Sequence, residues 1–155
     1  MRKTTRRGII GILLAVLVVL VRAWLAHLDV ASQVVTQVVD GDTVVLMNGE
    51  RVRLYGVDAP EQSQPFGPEA RACLAAMVMG KMVEVHPKGR DRYGRLLAVL
   101  VVADEEVNAA LVAQGCAWAY PGTGDAYRPA EALARSRGLG LWALSSPIPP
   151  WEWRR

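Results

Sequence analysis

The sequence predicts an α+β fold: a five-stranded Greek-key β-barrel of the OB type with about three helices, preceded by an N-terminal hydrophobic helix of the export or anchor kind. Three observations lead there. Short β-branched runs separated by turn residues occupy residues 34–57 and 82–102. A segment of helical period, opening at Pro68 and closing at Gly80, stands between the third and fourth of these runs. Ahead of them, residues 8–28 form an apolar stretch broken by little more than Arg22. The chain of 155 residues holds one ordinary domain and an appendage, and 52% hydrophobic against 21% charged residues excludes collagen-like, disordered and disulfide-dense classes.

The leader comes first. Basic MRKTTRR is followed by GIIGILLAVLVVLV, Gly8 to Val21, and AWLAHL then carries the apolar character to Leu28. A charged opening before an apolar run is the arrangement of a secretory signal, and Val21-Arg22-Ala23 or Val30-Ala31-Ser32 offers small residues for cleavage, though neither is a clean A-x-A. Counted through Leu28, the run is also about long enough to span a bilayer, with Arg22 close enough to its end to snorkel. A cleaved signal and an uncleaved anchor touching the membrane through residues 8–28 both remain open. Either way, positive charge ahead of the helix places the rest of the chain outside the cytoplasm, membrane-anchored or else secreted or periplasmic. A buried core helix is disfavoured by apolar character on every face. The divisions are then 1–31 for the leader, 32–144 for the barrel domain and 145–155 for a Pro/Trp-rich tail.

Within the domain, Val34–Val39 and Val44–Met47 read as strands, and Asn48-Gly49 before ERVRLYGV marks a hairpin into a third, ending near Val57. Pro68 and Gly80 bracket an amphipathic helix that turns Ala70, Cys73, Leu74, Met77 and Val78 to one side. Met82–Pro87 and Arg95–Val102 read as two more strands joined by the basic loop KGRDRYG. A second helix is expected with Asp104 as N-cap and Gly115 as stop, and a third from about Tyr127 to Arg137. The tail SSPIPPWEWRR is expected to lie extended with Trp151 and Trp153 against the domain, or else to be solvated. Cys73 and Cys116 can form one disulfide in an exported chain, or serve as two buried thiols.

Charge is unevenly placed. The whole chain carries +3, but residues 1–31 hold five bases and one acid, leaving 13 bases and 14 acids from Ser32 onward. The basic balance therefore belongs to the leader, and any affinity of the domain for a polyanion must come from local clusters.

Three such groups stand out. Asp40-Gly41-Asp42-Thr43 lies in the first turn, where Asp and Gly are ordinary turn residues. Arg53 and the run Asp58-Ala59-Pro60-Glu61 sit on and after the third strand. Lys88, Arg90, Arg92 and Arg95 surround Asp91 and Tyr93 in the basic loop. Each alone reads equally well as turn caps or solvated charge. Together, acids converging at one barrel end make an oxygen-rich site suited to a hard cation such as Ca²⁺, and zinc ligands are lacking because His27 lies in the leader and His86 is isolated. Arginines beside such a cation suit a phosphodiester, since guanidinium forks bind phosphate oxygens and stabilise transition-state charge.

In order and spacing, DGDT, R-x4-D-x-P-E and D-x-Y-G-R resemble the staphylococcal nuclease (thermonuclease) family over about Val34 to Trp142, with VNAALVAQG and GLGLW as further matches. The resemblance implies a Ca²⁺-dependent endonuclease, a hydrolase cutting DNA and RNA, with 3′-phosphates as product, acting as a monomer. It implies Asp42, Asp58 and the backbone carbonyl of Ala59 as Ca²⁺ ligands. Glu61 would reach the metal through water and activate the attacking water, and Arg53 and Arg95 would grip the phosphate. Arg92 and Tyr93 match positions lining the nucleotide pocket, with Lys88 beside them; Asp40 is left as a peripheral acid. Trp118 and Tyr120 are the nearest candidates for base stacking, or else core aromatics on a strand. Replacing Arg53, Glu61 or Arg95 is expected to lower turnover by orders of magnitude with little effect on folding. The alternative is a catalytically inactive OB-fold module that binds nucleic acid at the cell envelope; such a module should show gaps among Asp42, Arg53, Asp58, Glu61 and Arg95, and all five are present.

Overall fold

The computed structural model describes residues 12, 15–19, 31–123 and 125–155. The chain divides into two compact units, Met1–Ala31 and Ser32–Arg155. Of the predicted leader helix over 8–28, residues 12 and 15–19 are helical and exposed, and the rest lies outside the described residues. Among the described residues no helix is long and apolar enough to cross a membrane.

In the second unit the elements run β1 (Ala31–Val38), β2 (Thr43–Leu46), β3 (Arg51–Leu54), β4 (Val57–Asp58), α1 (Gly67–Val78), β5 (Met82–Arg90), β6 (Leu96–Val102), β7 (Glu105–Glu106), α2 (Val107–Ala113), β8 (Trp118–Ala119), α3 (Arg128–Ser136) and α4 (Pro150–Trp153). Five of the strands lie in the order β3-β2-β1-β5-β6, and a parallel pairing of β3 with β6 closes them into the barrel that the sequence predicts. Closure removes the free edges that an open sheet of this size would present. The Asn48-Gly49 turn joins β2 to β3 as expected, with Gly49 at φ +83°, a left-handed conformation that suits glycine.

Alternation sets the interior. Val44, Leu46, Val52, Leu54, Val83, Val85, Ala98 and Leu100 point inward from four strands, and α1 lays Ala70, Leu74 and Val78 over them. Truncating a fully buried leucine such as Leu74 to alanine costs about 2–5 kcal/mol in a core of this kind. Cys73 and Cys116 are joined as a disulfide, which settles the two readings of that pair and ties α1 to the segment after α2.

Four expectations need correction. Asp104 does not cap α2: Ala103 and Asp104 both have positive φ, +48° and +66°, and form the tight turn of a β6–β7 hairpin that precedes the helix. The strand that contains Lys88 runs on to Arg90, past the expected end at Pro87, so Lys88 stands exposed on β5 and the true loop is only Asp91–Arg95. Three two-residue strands, β4, β7 and β8, join the five expected ones. The tail ends in a helical turn, and only Trp151 docks, edge-on to Trp118 and Tyr120 with ring centroids 5.7 and 6.0 Å away, while Trp153 is exposed.

Candidate active site

One end of the barrel opens into a cleft of about 540 Å³ whose walls are formed by two groups of residues, Asp40, Asp42, Arg53, Ala59, Glu61 and Arg154 in the first and Asp91, Arg92, Tyr93 and Arg95 in the second, with Tyr120 also lining it. The first wall is built from three chain segments that only the fold brings together. Asp42 ends the β1–β2 turn, and the turn can press against the Asp58-Ala59 segment because position 41 is glycine: a Cβ there would stand 2.6 Å from the Ala59 methyl and 2.9 Å from that of Ala70. The Asp42 carboxylate then accepts the Ala59 backbone N–H at 2.8 Å and the Thr43 hydroxyl at 3.0 Å. Arg53 projects from β3, whose pairing sets it opposite Thr43, and its guanidinium bridges two acids, ion-pairing with Asp42 through Nη1 and with Asp58 Oδ1 through Nη2 at 2.6 Å. Asp58 is fully buried on β4, held there by pairing with Trp118 of β8.

Glu61 follows on a short loop fixed by Gln64, whose side-chain oxygen accepts the Glu61 N–H at 3.1 Å. Gln64 in turn donates to the carbonyl of Ile148 in the tail at 2.5 Å. That tail delivers a residue that no sequence motif announces. Arg154 Nη2 donates to Asp58 Oδ2 at 2.7 Å and its Nη1 to Glu61 Oε1 at 2.5 Å. Gln64 and Arg154 lie outside the recurring motifs, and the Pro/Trp composition of the tail hinted only that it packs.

The second wall is organised by Asp91. Its carboxylate accepts the backbone N–H of Tyr93 at 2.9 Å and of Arg95 at 3.0 Å, and the Arg95 Nε–H at 2.7 Å. Arg92 and Arg95 flank the exposed Tyr93 ring at 4.8 and 5.7 Å from its centroid, which leaves an aromatic face framed by positive charge. Of the remaining sequence candidates, Tyr120 is partly exposed at the rim, whereas Trp118 is buried beneath Trp142, Trp151 and Arg135. The core alternative therefore describes Trp118, and Lys88 is not among the residues lining the cleft.

Burial dominates the electrostatics of the first wall. It pushes the Asp40 carboxyl up to about 6, with the neighbouring Asp42 charge adding to the effect. It also raises Asp58, an effect that Arg154 and Arg53 offset only in part. Burial opposes the charge on Arg53, but Asp42 and Asp58 outweigh it and hold that guanidinium more firmly protonated than usual. On the second wall the balance reverses. The small burial of Asp91 is outweighed by its bonds from Arg95 and Tyr93, which hold it below the usual carboxylate range.

The described residues include no group of three His, Cys, Asp or Glu side chains already gathered as a coordination set, since guanidiniums stand on the carboxylates. The donor chemistry nevertheless fits a hard cation. Asp42, Asp58 and Glu61 supply carboxylate oxygens, Ala59 a backbone carbonyl, and no thiolate or imidazole intrudes. Arg154 stands in for such a cation by placing its own charge on Asp58 and Glu61.

Arginines and acids lining one cleft at the mouth of a closed barrel, beside a framed aromatic ring, suit the phosphate and base of a nucleic acid, and the class they fit is that of phosphodiester hydrolases. More particularly, the chain belongs to the staphylococcal nuclease homologue family, whose model matches residues 51–144, and it is a nuclease. The matched range contains Arg53, Asp58, Glu61 and Arg95, while Asp42 and Arg154 fall outside it. The chain is 44% identical to "Protein ParB" of Escherichia coli, over 92% of this chain and 87% of that protein. It is 40% identical to a "Micrococcal nuclease" of Shigella flexneri, over 90% and 87% respectively. An "Uncharacterized endonuclease" of Haemophilus influenzae is 42% identical over 78% of this chain and 71% of its own length.

Proposed function

We propose that the protein is a Ca²⁺-dependent endonuclease that hydrolyses DNA and RNA to 3′-phosphate ends outside the cytoplasm. The observation that carries this reading is that Arg53, Arg95 and Glu61 line one cleft. Asp42, Asp58 and the Ala59 carbonyl are the residues to hold Ca²⁺, with Glu61 reaching it through water. When bound, Ca²⁺ supplies positive charge that polarises the phosphoryl group.

The chain's own residues supply the rest. Glu61 accepts a proton from the attacking water, whose oxygen forms the new bond to phosphorus in line with the departing 5′-oxygen. Arg53 and Arg95 donate hydrogen bonds to the non-bridging oxygens, whose charge grows in the transition state. Because Arg53 is braced by two buried carboxylates and Arg95 by Asp91, these donors need little reorganisation as that charge develops. The phosphorus–O5′ bond breaks, and the departing oxygen takes a proton from solvent water, leaving a 3′-phosphate and a 5′-hydroxyl. Tyr93 and Tyr120 offer exposed rings for base stacking, a contact tolerant of sequence. Export is supported by the basic-then-apolar leader and by the Cys73–Cys116 disulfide, a bond that persists in oxidising compartments. The relatives named nucleases and endonucleases support the catalytic reading over a binding module.

The test is direct. Plasmid DNA and a structured RNA are incubated with the protein in Ca²⁺ or in chelator, and the product ends are labelled. Degradation that chelator abolishes, with 5′ ends that kinase labels directly and 3′ ends that a terminal transferase extends only after phosphatase treatment, is the expected outcome. Retention of both polymers without cleavage under either condition would overturn it in favour of a binding module.

A further inference from the structure

Asp58 is fully buried and accepts from two arginines, Arg53 at Oδ1 and Arg154 most closely at Oδ2. The two guanidiniums are anchored very differently. Arg53 rises from a strand inside the closed barrel, is also paired with Asp42, and has only 16% of its side chain exposed. Arg154 caps the C-terminal end of the four-residue helix α4 and has 44% of its side chain exposed. Its Nη1 also reaches Asp58 Oδ1 at 3.3 Å as well as Glu61, so one terminal guanidinium covers both acids. The arm that carries it is docked by the Trp151 ring against Trp118 and Tyr120, by the buried Pro150, and by the Gln64 bond to Ile148.

We infer that Arg154 is a tethered counter-cation: it occupies the Asp58–Glu61 carboxylate pair in the cation-free enzyme and must be displaced when the divalent cation binds, so that the C-terminal arm sets the metal affinity. This rests on the reading of Asp58 and Glu61 as groups that hold or approach the cation. A guanidinium seated on both Asp58 and Glu61 puts positive charge where a cation must approach, so the cation and that arginine repel and compete for the same oxygens, and one arginine yields. Arg154 is the one that yields, because releasing Arg53 strips a counter-charge from two buried acids at once, whereas releasing Arg154 returns a half-exposed side chain to water. The consequence follows from population arithmetic. If the binding-competent arrangement, with Arg154 released, makes up one tenth of the cation-free population, the apparent dissociation constant is about tenfold weaker than the intrinsic one.

Calorimetric titration of Ca²⁺ into the full-length chain tests this, comparing wild type with Arg154→Gln and Trp151→Ala. The first variant removes the competing charge; the second keeps the charge and loosens the arm, which guards against a folding effect peculiar to either. About tenfold tighter Ca²⁺ binding by Arg154→Gln, with a shift in the same direction for Trp151→Ala, is expected. Equal affinity in all three proteins overturns the proposal while leaving the Ca²⁺ reading intact. Weaker binding by Arg154→Gln also overturns it, since Arg154 would then be a positioning residue that presents the acids to the metal. Ca²⁺ binding to none of the three removes both the proposal and the metal reading beneath it.

Discussion

The two walls of the cleft solve different problems with similar residues. On the barrel wall Asp42 and Asp58 are buried and cross-braced by Arg53, so charge is held in a place where leaving it unpaired is costly. On the loop wall Asp91, Arg92, Tyr93 and Arg95 stand on the short loop between β5 and β6, and one carboxylate organises the group from the edge of solvent. Burial there is slight, and Asp91 titrates below its ordinary range where Asp40 and Asp58 on the barrel wall titrate above theirs. The barrel wall thus trades stability for a fixed field at the reacting phosphate. The loop wall presents a stacking face and a second arginine at small cost to the fold. Perturbing the buried ion pairs of the first should damage turnover and folding together, and perturbing the second should damage substrate binding and turnover with little effect on folding.

The largest expected effect tests the first half of that contrast. Arg53→Ala should lower kcat by about 10²–10³ or more, the cost of removing one preorganised donor to transition-state charge. The expectation that folding would be spared does not survive the structure, because the same change leaves Asp42 and Asp58 without their shared partner. A loss of about 3–5 kcal/mol in urea unfolding is expected beside the kinetic loss. Glu61→Gln, on a more exposed loop, should match the kinetic loss without the unfolding penalty. Equal destabilisation by both variants would erase the distinction drawn for the barrel wall.

Next in size is the pair Trp118 and Tyr120, two residues apart and on opposite sides of the same boundary. Trp118→Ala empties a site packed against Trp142 at 4.3 Å between centroids and against Trp151, and should cost about 3–5 kcal/mol of stability. Tyr120→Ala and Tyr93→Ala should leave stability nearly unchanged and raise KM for single-stranded substrates about tenfold, the scale of one lost base stack. Unaltered KM in both tyrosine variants would remove stacking from the account of the loop wall.

Much of this was legible in the sequence where a local rule governs it. The Asn48-Gly49 turn, the inward alternation of β2, β3, β5 and β6, and the helix bracketed by Pro68 and Gly80 each follow from a few neighbouring residues, and the site acids and arginines stand within short motifs. What was not legible depends on contacts between distant segments. Asp104 has the chemistry of an N-cap, but the tight β6–β7 hairpin put it at positive φ, and tertiary pairing overrode the local preference. Trp118 was ambiguous because an aromatic on a short strand can face either way until α3, Trp142 and the tail are in place over it. Arg154 was invisible for the same reason in stronger form: its partners lie 93 and 96 residues earlier, and no spacing rule connects them. Gly41 shows the intermediate case, where an ordinary turn glycine becomes required only because the Ala59 and Ala70 methyls close on it.

The smallest effect probes the field of the barrel wall through pH. Asp40 accepts the Asp42 backbone N–H at 3.0 Å, and burial together with the Asp42 charge raises its carboxyl from 3.8 to about 6. Between those values the folded protein keeps a proton that the unfolded chain has lost. The contribution of the protonated acid to stability is therefore fully present below about pH 4 and is lost as pH rises through 6. Asp40→Asn retains the acceptor oxygen and cannot acquire the charge, so it escapes that loss. In chelator it should be more stable than wild type at pH 7 by on the order of 1–2 kcal/mol, discounted from the full shift because the site is only half-buried. The gap should shrink steadily toward pH 4 in urea titrations run at unit intervals. A gap independent of pH would mean that the amide gains by packing or hydrogen bonding alone, and that crowding of negative charge on the barrel wall is not what raises Asp40. A gap that closes on schedule would tie the stability of the cation-free fold to the same acids that the cleft directs toward a cation, and the loop wall, whose acid is shifted the other way, should show no such closure when Asp91→Asn is taken through the same series.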